Sequence, residues 1–374
     1  MTTSPFLAAK MPDRQHQEPI PRSASLPLYG RMVLTCLLLI AHFWGRQWLA
    51  VRLSHWTALL SGLALPVPAV LNGEVVIFLF ALFIIWWKVL AREKKFHAPL
   101  FITCILIVGD AAFSILENHP SAWLARATSG LITSYSPTFI TILVTVATEL
   151  FLGRLVYGKW PYPASAYVSG ISAGILIKSP DLWPFVLGGM ISITSKYVFR
   201  IGDRHLWNPT NFGMTVMLLL APQHVATLTV QAGNEIWSVI VIWIMGGFIL
   251  QQLKRIHIPI AFLLAFLPLS YLRSVSGNSW LTELAPMTST MFQLYIFFMI
   301  TDPKTTTHTR WSQALVAALV AVMDTVCRMA FRDIHSLYHA LFIVGAVSNL
   351  VEIYYARRKA RRHRPQVHVA PLPV

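Results

Sequence analysis

Charge is scarce in this chain, and acidic charge is the scarcest. Only 12% of its 374 residues are charged, and 15 Asp and Glu stand against 30 Lys and Arg. An average soluble domain is about one quarter charged, because charged groups are needed to cover its surface. The mean hydropathy of +0.59 points the same way. The composition therefore excludes an ordinary soluble domain, and we attribute the net charge of +15 to membrane topology rather than to nucleic-acid binding.

Cysteine is also scarce. The three cysteines, Cys36, Cys104 and Cys327, lie in apolar segments and form no CxxC or CxxCH motif. The sequence therefore offers no cysteine-based zinc, iron–sulfur or haem-attachment site, and no metal is expected. The first 31 residues are polar and rich in proline, without the plan of a cleavable signal peptide. We expect residues 1–31 to form a disordered cytoplasmic tail.

Long apolar runs are what the chain has in abundance. A window reading gives about twelve segments long enough for full or short, broken spans. They lie near residues 32–51, 75–91, 99–116, 137–153, 163–177, 184–199, 209–221, 236–252, 258–272, 287–300, 312–330 and 337–355. The predicted fold is an all-α polytopic membrane protein of about 10–12 transmembrane helices, with one transmembrane domain at 32–355 and a basic tail at 356–374. Residues 52–74 fit an interfacial loop as well as a span.

Basic residues fall in alternate loops between these segments. If the N-terminus is cytoplasmic, the opposite loops carry few: Arg126, Lys178, Arg273 and Arg332. This bias follows the positive-inside rule and predicts that both termini are cytoplasmic. The cytoplasmic loops and the C-terminal tail carry Arg92, Lys94, Lys95, Arg154, Lys159, Arg200, Arg204, Lys254, Arg255, Lys304, Arg310 and the run Arg357–Arg364.

Two short polar stretches interrupt the apolar pattern. The first break is RIGDRHLWNPTNFG (residues 200–213), and the second break is TDPKTTTHTR (residues 301–310). Non-helical backbone near membrane depth persists only where protein or a water-filled cavity satisfies its polar groups, so such breaks tend to mark binding sites. Both breaks are predicted to open on the cytoplasmic side. The apolar runs before them are loosely similar, which leaves an inverted repeat as an alternative to chance similarity.

The residues in the breaks have a binding interpretation and a structural one. Polar groups and a proline-started helix at the first break suit an anionic phosphate or a polar ring edge, whereas the same residues also suit a simple helix cap. The second break suits either a site or a turn. The candidates for ligand binding are Lys196, Asn208, Pro209, Thr210, Asn211, Gly213, Thr301, Asp302, Pro303 and Thr305.

Ionisable residues inside spans are costly and usually paired or functional. Asp324 and Arg328 have the i,i+4 spacing of an ion pair on one helix face, which favours a structural pair over an ion relay. Glu149 either binds a cation or proton, or pairs with Lys196 from another span. Asp110 completes the candidates for an ion or proton pathway. A further pair, His335 and His339, has ligand spacing but no third ligand nearby, so a metal or haem there is disfavoured.

From residue 145 onward the motifs occur in a family order. Glu149 is followed by YVSGISAGIL (167–176), Lys196, HLWNPTNFG (205–213) and FFMITDPKTT (297–306). Over about 145–350 this order resembles the Rnf-D/Nqr-B superfamily, membrane subunits of Rnf electron-transport complexes and of the sodium-translocating NADH:quinone reductase. NPTNFG and DPKTT most resemble its UnbU-like branch, associated with enediyne clusters. The resemblance implies a subunit in the bacterial inner membrane that works in electron transport or ion-coupled redox chemistry with partner subunits.

The chain departs from that family in one respect. Relatives carry FMN on a threonine within a D-x-(S/T)-(G/S)-A-T motif, whereas residues 214–236 contain Thr227 and Thr229 without an acidic residue correctly placed upstream. Covalent FMN is therefore not expected, and noncovalent FMN or riboflavin is the cofactor expectation. Two other functions stay open: a transporter or channel for a small solute, and a flavin-free membrane scaffold for biosynthetic enzymes. The expected partners are the lipid bilayer and other membrane or peripheral subunits, without nucleic acid.

Overall fold

The computed structural model describes most of the C-terminal two thirds of the chain and parts of the rest. The described residues are 30–35, 37–39, 41, 67–90, 97, 99–104, 137–201, 204–227, 236–275 and 277–362. Contacts divide the chain into two units, residues 1–96 and 97–374. Asp110 and most of the predicted spans 32–51 and 99–116 lie outside the described residues.

In the first unit, helix α1 spans Val67–Leu90. Its start corrects the predicted boundary at residue 75, because Pro68 lies in the first turn, where a missing N–H costs nothing. Residues 67–74 are therefore helical rather than part of an interfacial loop. Leu82 is fully buried, and the Trp86 indole donates a hydrogen bond of 2.8 Å to the Thr35 hydroxyl.

The second unit is helical, with only two-residue strands between helices in its described part. Its elements are α2 Pro137–Tyr157, α3 Ala164–Leu176, β1 Ile177–Lys178, α4 Trp183–Val198, β2 Arg200–Ile201, β3 Arg204–His205, α5 Pro209–Leu220, β4 Ala226–Thr227, α6 Ile236–Gln252, α7 His257–Ser274, α8 Trp280–Leu284, α9 Thr290–Leu294, α10 Arg310–Phe331 and α11 Ser336–Arg362. Strand β1 pairs antiparallel with β4, and β2 pairs antiparallel with β3.

Four described helices are long and apolar enough to cross a membrane: Pro137–Tyr157, His257–Ser274, Arg310–Phe331 and Ser336–Lys359. Shorter apolar helices, including α3 and α5, lie between them. This architecture confirms the predicted all-α polytopic membrane fold. The total of 10–12 spans stays a prediction, since much of the N-terminal third lies outside the described residues.

Small residues bring the helices close together. On α3, a Cβ added to Gly170 would lie 2.6 Å from the Ile142 Cα of α2, so only glycine fits there. Close backbone approach through small residues is typical of helix packing in membranes, where burial of apolar surface gives little driving force. This contact fixes the short helix α3 against the long helix α2.

The predicted span at residues 287–300 is one of the broken ones. Residues 287–300 are not one α-helix but a 3₁₀ turn (Ala285–Thr288), the five-residue α9 and a π-helical turn (Tyr295–Met299). The Ser289 hydroxyl accepts from the Met291 N–H and caps α9, so the helix cannot begin earlier. Hydropathy alone does not show this cap. The π turn ends just before the second break, and such turns often lie at functional sites.

Candidate functional site

The first break connects α4 to α5 through the β2–β3 hairpin. Asn208 has extended backbone angles, and its side-chain oxygen accepts from the Asn211 N–H at 3.1 Å. Pro209 follows as the first helical residue, where its fixed φ suits a helix start. The helix cap inferred from the sequence is therefore present.

The second break is organised around the Asp302 carboxylate. One oxygen accepts from the Lys304 N–H at 3.1 Å, and the other accepts from the Thr305 hydroxyl at 3.1 Å. The Asp302 carbonyl accepts from the Thr306 hydroxyl at 2.7 Å. The turn inferred from the sequence is present as well. The cap at the first break and the turn at the second are both compatible with a binding site, because the two breaks also contact each other.

The side chains of the two breaks contact each other directly. The Asn208 amide donates to the Asp302 carboxylate at 3.2 Å. A second link comes from α11, where the Asn349 Nδ2 lies 2.9 Å from the Leu206 carbonyl oxygen and 2.8 Å from the Thr305 carbonyl oxygen. We call these five residues the break junction. The sequence pattern indicates Asn208, Asp302 and Thr305 as candidates but does not indicate Leu206 or Asn349.

Helix α11 supports the first break with the main-chain carbonyls of its first two turns. The Trp207 indole donates to the Phe342 carbonyl at 2.9 Å, and the Asn211 amide donates to the Tyr338 carbonyl at 3.2 Å. Phe342 and Asn349 lie on either side of the midpoint of the apolar span Ser336–Lys359. The first break therefore contacts α11 from its first turn, at Tyr338, to its middle, at Asn349.

A cavity of about 20 Å³ adjoins the break junction. Asn208, Thr305 and Thr306 supply its polar lining, and Leu206, Trp207, Met299, Ile300, Val316, Leu341 and Gly345 complete it. This space holds about one water molecule, whereas pockets for ligands of cofactor size measure about 300 Å³ or more. Noncovalent FMN or riboflavin stays a prediction.

The remaining candidates of the two breaks, apart from Pro303, are built into the packing. Gly213 is required by α4, because an added Cβ would lie 2.6 Å from the Gly188 carbonyl oxygen. Its close approach is thus to a helix rather than to a ligand. Thr210 and Thr301 are buried, and the Thr301 hydroxyl donates to the Phe297 carbonyl within its own turn. Pro303 is exposed beside Asp302.

Lys196 and Glu149 form an ion pair of 2.5 Å between α4 and α2. Both residues are buried, and the Lys196 ammonium also donates to the Ser165 hydroxyl at 2.9 Å. This arrangement selects the pairing alternative over a lone Glu149. Asp302 and Lys304 lie within electrostatic reach of Lys196, so the pair lies near the second break.

His205 is a buried histidine of the first break, and the sequence pattern predicts no role for it. Burial and the charges of Lys304, Lys196 and Arg200 lower its pKa to about 3. Its ring is therefore neutral near pH 7. The Nδ1 atom has no hydrogen-bond partner in the described part of the chain. Its position directly before the Leu206 carbonyl makes it a neighbour of the break junction in sequence.

A second polar cluster lies where α7, α8, α10 and α11 converge. The Arg273 guanidinium contacts the Glu283 carboxylate at 2.7 Å and the Asp324 carboxylate at 3.8 Å. Asp324 also accepts from Arg328 at 3.1 Å and from the Ser336 hydroxyl at 2.6 Å. We call these five residues the far-end network, since Ser336 begins α11 and Asn349 lies about 20 Å further along that helix.

The far-end network confirms the predicted pair of Asp324 and Arg328 and extends it. Asp324 is fully buried, and Arg273 is only 2% exposed. Burial alone would raise the pKa of Glu283, but hydrogen bonds from Arg273 and Asn278 outweigh it and lower that pKa. Arg273 was grouped by sequence with the few basic residues of the opposite loops, and nothing in its spacing indicates two carboxylate partners.

The histidine pair at the start of α11 has protein partners. The His339 Nδ1 lies 2.5 Å from the Asp333 carboxylate, and the His335 Nδ1 lies 2.7 Å from the Thr227 hydroxyl. Within the part of the chain that the structure describes, no group of three or more His, Cys, Asp or Glu residues could hold a metal ion.

Comparison with known proteins supports the family inferred from the motifs. Residues 226–361 match the model of the NQR2, RnfD, RnfE family. Over these residues the chain is similar to that family. The match contains the second break, Asn349, Arg273 and Asp324, whereas the first break lies before it. A search of curated proteins finds no significant match. The UnbU-like branch stays a prediction.

Proposed function

We propose that this chain is a membrane subunit of an ion-coupled electron-transport complex and that its break junction binds the coupled cation. The family match over residues 226–361 supports the first part. The contact between Asn208 and Asp302 carries the second, because it brings a carboxylate and an amide from two broken helices to one point.

The chemistry of the break junction suits a small cation better than an anion. Carboxylate and hydroxyl oxygens are ligands that hard cations prefer, and Asp302 and Thr305 supply them, whereas Asn208 faces Asp302 with its amide nitrogen and gives way to a bound cation. A carboxylate already lies beside the N-terminus of α5, the position where the sequence suits a phosphate, a polar ring edge or a simple helix cap. Asp302 is half-buried, so an ion can reach it from water, and the adjoining cavity holds an occupant of about the size of one water molecule.

The test compares Asp302→Asn with wild type in inside-out vesicles. We expect reductant-driven cation uptake to fall by at least about tenfold, since the substitution removes the charge that binds the ion. Thermal stabilisation of the purified protein by added cation should disappear as well. Asp181→Asn is the matched control, because Asp181 is a partly exposed carboxylate paired with His224 at 2.9 Å. Normal uptake by folded Asp302→Asn protein contradicts the proposal.

A small-solute transporter or channel is the second candidate, and the same pair of broken helices favours it. The adjoining cavity has room for about one water molecule, which suits a solute of that size. Flux of such a solute into liposomes that contain only this chain, without a reductant or partner subunits, supports this alternative. Uptake that requires a reductant and partner subunits supports the first.

Location and partners follow from the proposal. The chain is expected in the bacterial inner membrane beside other subunits of the complex, with both termini cytoplasmic. The exposed basic residues Arg357, Arg358 and Lys359 near the end of α11 fit a cytoplasmic helix end.

A further inference from the structure

Asn349 is the one residue of the break junction that belongs to neither break. It lies on α11, is 1% exposed, and uses a single nitrogen to reach the Leu206 and Thr305 carbonyls. These carbonyls come from stretches of chain without regular helix or sheet, where each buried carbonyl needs a partner. Asn349 supplies that partner to both breaks at once.

The two links across the break junction differ in their hydrogen-bond acceptors. The direct link joins Asn208 to the Asp302 carboxylate, the group that our proposed function assigns to the cation. A cation on that oxygen competes with the Asn208 amide, so the direct link weakens when the site is occupied. The Asn349 link uses the Leu206 and Thr305 main-chain carbonyls, and neither of these two bonds involves the Asp302 carboxylate.

We propose that Asn349 is a positioning residue that fixes the separation of the two breaks and thereby the place of Asp302. Its effect on the cation rests on the proposed function. Its effect on the separation does not, and that effect is measured without a cation or an electron-transport assay.

The side-chain chemistry of Asn349 allows a sharp test. Asn349→Asp keeps the shape of the side chain, but an ionised carboxylate donates no hydrogen bond and repels the two carbonyl oxygens. A protonated carboxyl donates one hydrogen bond, so lowering the pH restores one of the two links. Asn349→Leu removes both links at every pH. Ser348→Ala is the matched control, because the Ser348 hydroxyl donates only to the Gly345 carbonyl within α11.

The measurement is the distance distribution between two spin labels by electron paramagnetic resonance. The labels are placed at Val198→Cys, which is 63% exposed at the end of α4, and at the exposed Lys304→Cys. Cys36, Cys104 and Cys327 are replaced by Ala in this background. We expect one narrow distribution for wild type and for Ser348→Ala, and a broader, longer one for Asn349→Leu.

The distance distribution of Asn349→Asp should be broad at about pH 8 and narrow again at about pH 5, whereas that of wild type should not change with pH. A merely structural role of Asn349 gives no such recovery. If Asn349→Leu does not fold, the distance distributions of Asn349→Asp at the two pH values test the proposal by themselves. Two results overturn the proposal. One is folded Asn349→Asp protein with the wild-type distance distribution at both pH values, and the other is a distribution that is equally broad at both pH values.

A second readout separates this inference from the proposed function. If both hold, Asn349→Asp weakens the apparent cation affinity about 10- to 100-fold at pH 8, as loss of an outer-shell partner does. If cations bind neither wild type nor the variant, the proposed function fails, while the distance measurements still support or overturn the role of Asn349.

Discussion

The break junction and the far-end network both gather polar groups between apolar helices, but they satisfy their carboxylates differently. Asp324 is fully buried and faces two guanidinium groups, those of Arg273 and Arg328. Asp302 is half-buried, and its hydrogen bonds come from neutral donors on Asn208, Lys304 (its main-chain N–H) and Thr305.

This difference bears on what each cluster can do. A buried carboxylate between two cations is held in one state, because removing either charge leaves the other uncompensated. A carboxylate with neutral donors and access to water can exchange an amide for an ion at a much smaller cost. The far-end network is therefore suited to holding helix ends together, and the break junction to changing partners.

The largest expected effect is at Arg273. Arg273→Met leaves Glu283 without its guanidinium partner and removes one of the two guanidinium groups that face Asp324, which should lower the free energy of unfolding by about 3–5 kcal/mol. Chemical unfolding of the detergent-solubilised protein measures it. Further substitution of the stranded acids, Glu283→Gln and Asp324→Asn, should restore part of the loss. Arg332→Met at an exposed position is the control, and equal losses in both variants contradict a stabilising network.

How far the sequence could predict these two regions depends on whether a contact is local. Asp324 and Arg328 are one helical turn apart, so their pairing follows from spacing alone. Asn208 as a cap and Asp302 as a turn residue follow from residue type and a neighbouring proline. Most helix boundaries of the second unit are also local, because they follow the apolar runs and are predicted within a few residues.

The contacts that define the sites are not local. Nothing in the sequence joins the two breaks across 94 positions, and Asn349 reaches Leu206 across 143 positions. The available signal for Asn349 was its polar amide inside an apolar span, where a polar group needs a partner. That signal indicates that a partner exists but cannot identify it.

A smaller effect is expected from His205, through pH. Burial and neighbouring positive charges lower its pKa from 6.5 to about 3. Between these two pH values the unfolded chain therefore binds a proton on His205 that the folded protein does not bind. The part of the folding stability that depends on neutral His205 is fully present above about pH 6.5 and is lost as the pH falls toward 3. At pH 5 the loss is about 2 kcal/mol.

His205→Gln should remove that part of the pH dependence, as thermal unfolding between about pH 7 and pH 5 would show. The lowered pKa of His335 acts in the same direction, so the result is the difference between variant and wild type. His224→Gln is the control, because that side chain is 49% exposed. An unchanged slope in His205→Gln contradicts a neutral, buried His205 beside the break junction.

The smallest expected effect is at Asn208, where two roles can be separated. Asn208→Ala removes the cap of α5 and the amide that binds Asp302, and should cost about 1 kcal/mol. Asn208→Ser keeps a capping oxygen but loses the amide, so it should cost only a few tenths of a kcal/mol while it alters cation binding as strongly as Asn208→Ala does. Unfolding and cation titration of both variants give the comparison. If Asn208→Ser binds the cation as wild type does, Asn208 acts only as a helix cap. If Asn208→Ser is instead as unstable as Asn208→Ala, the hydrogen bond from Asn208 to Asp302 stabilises the fold as the far-end network does. The contrast between the two regions then fails.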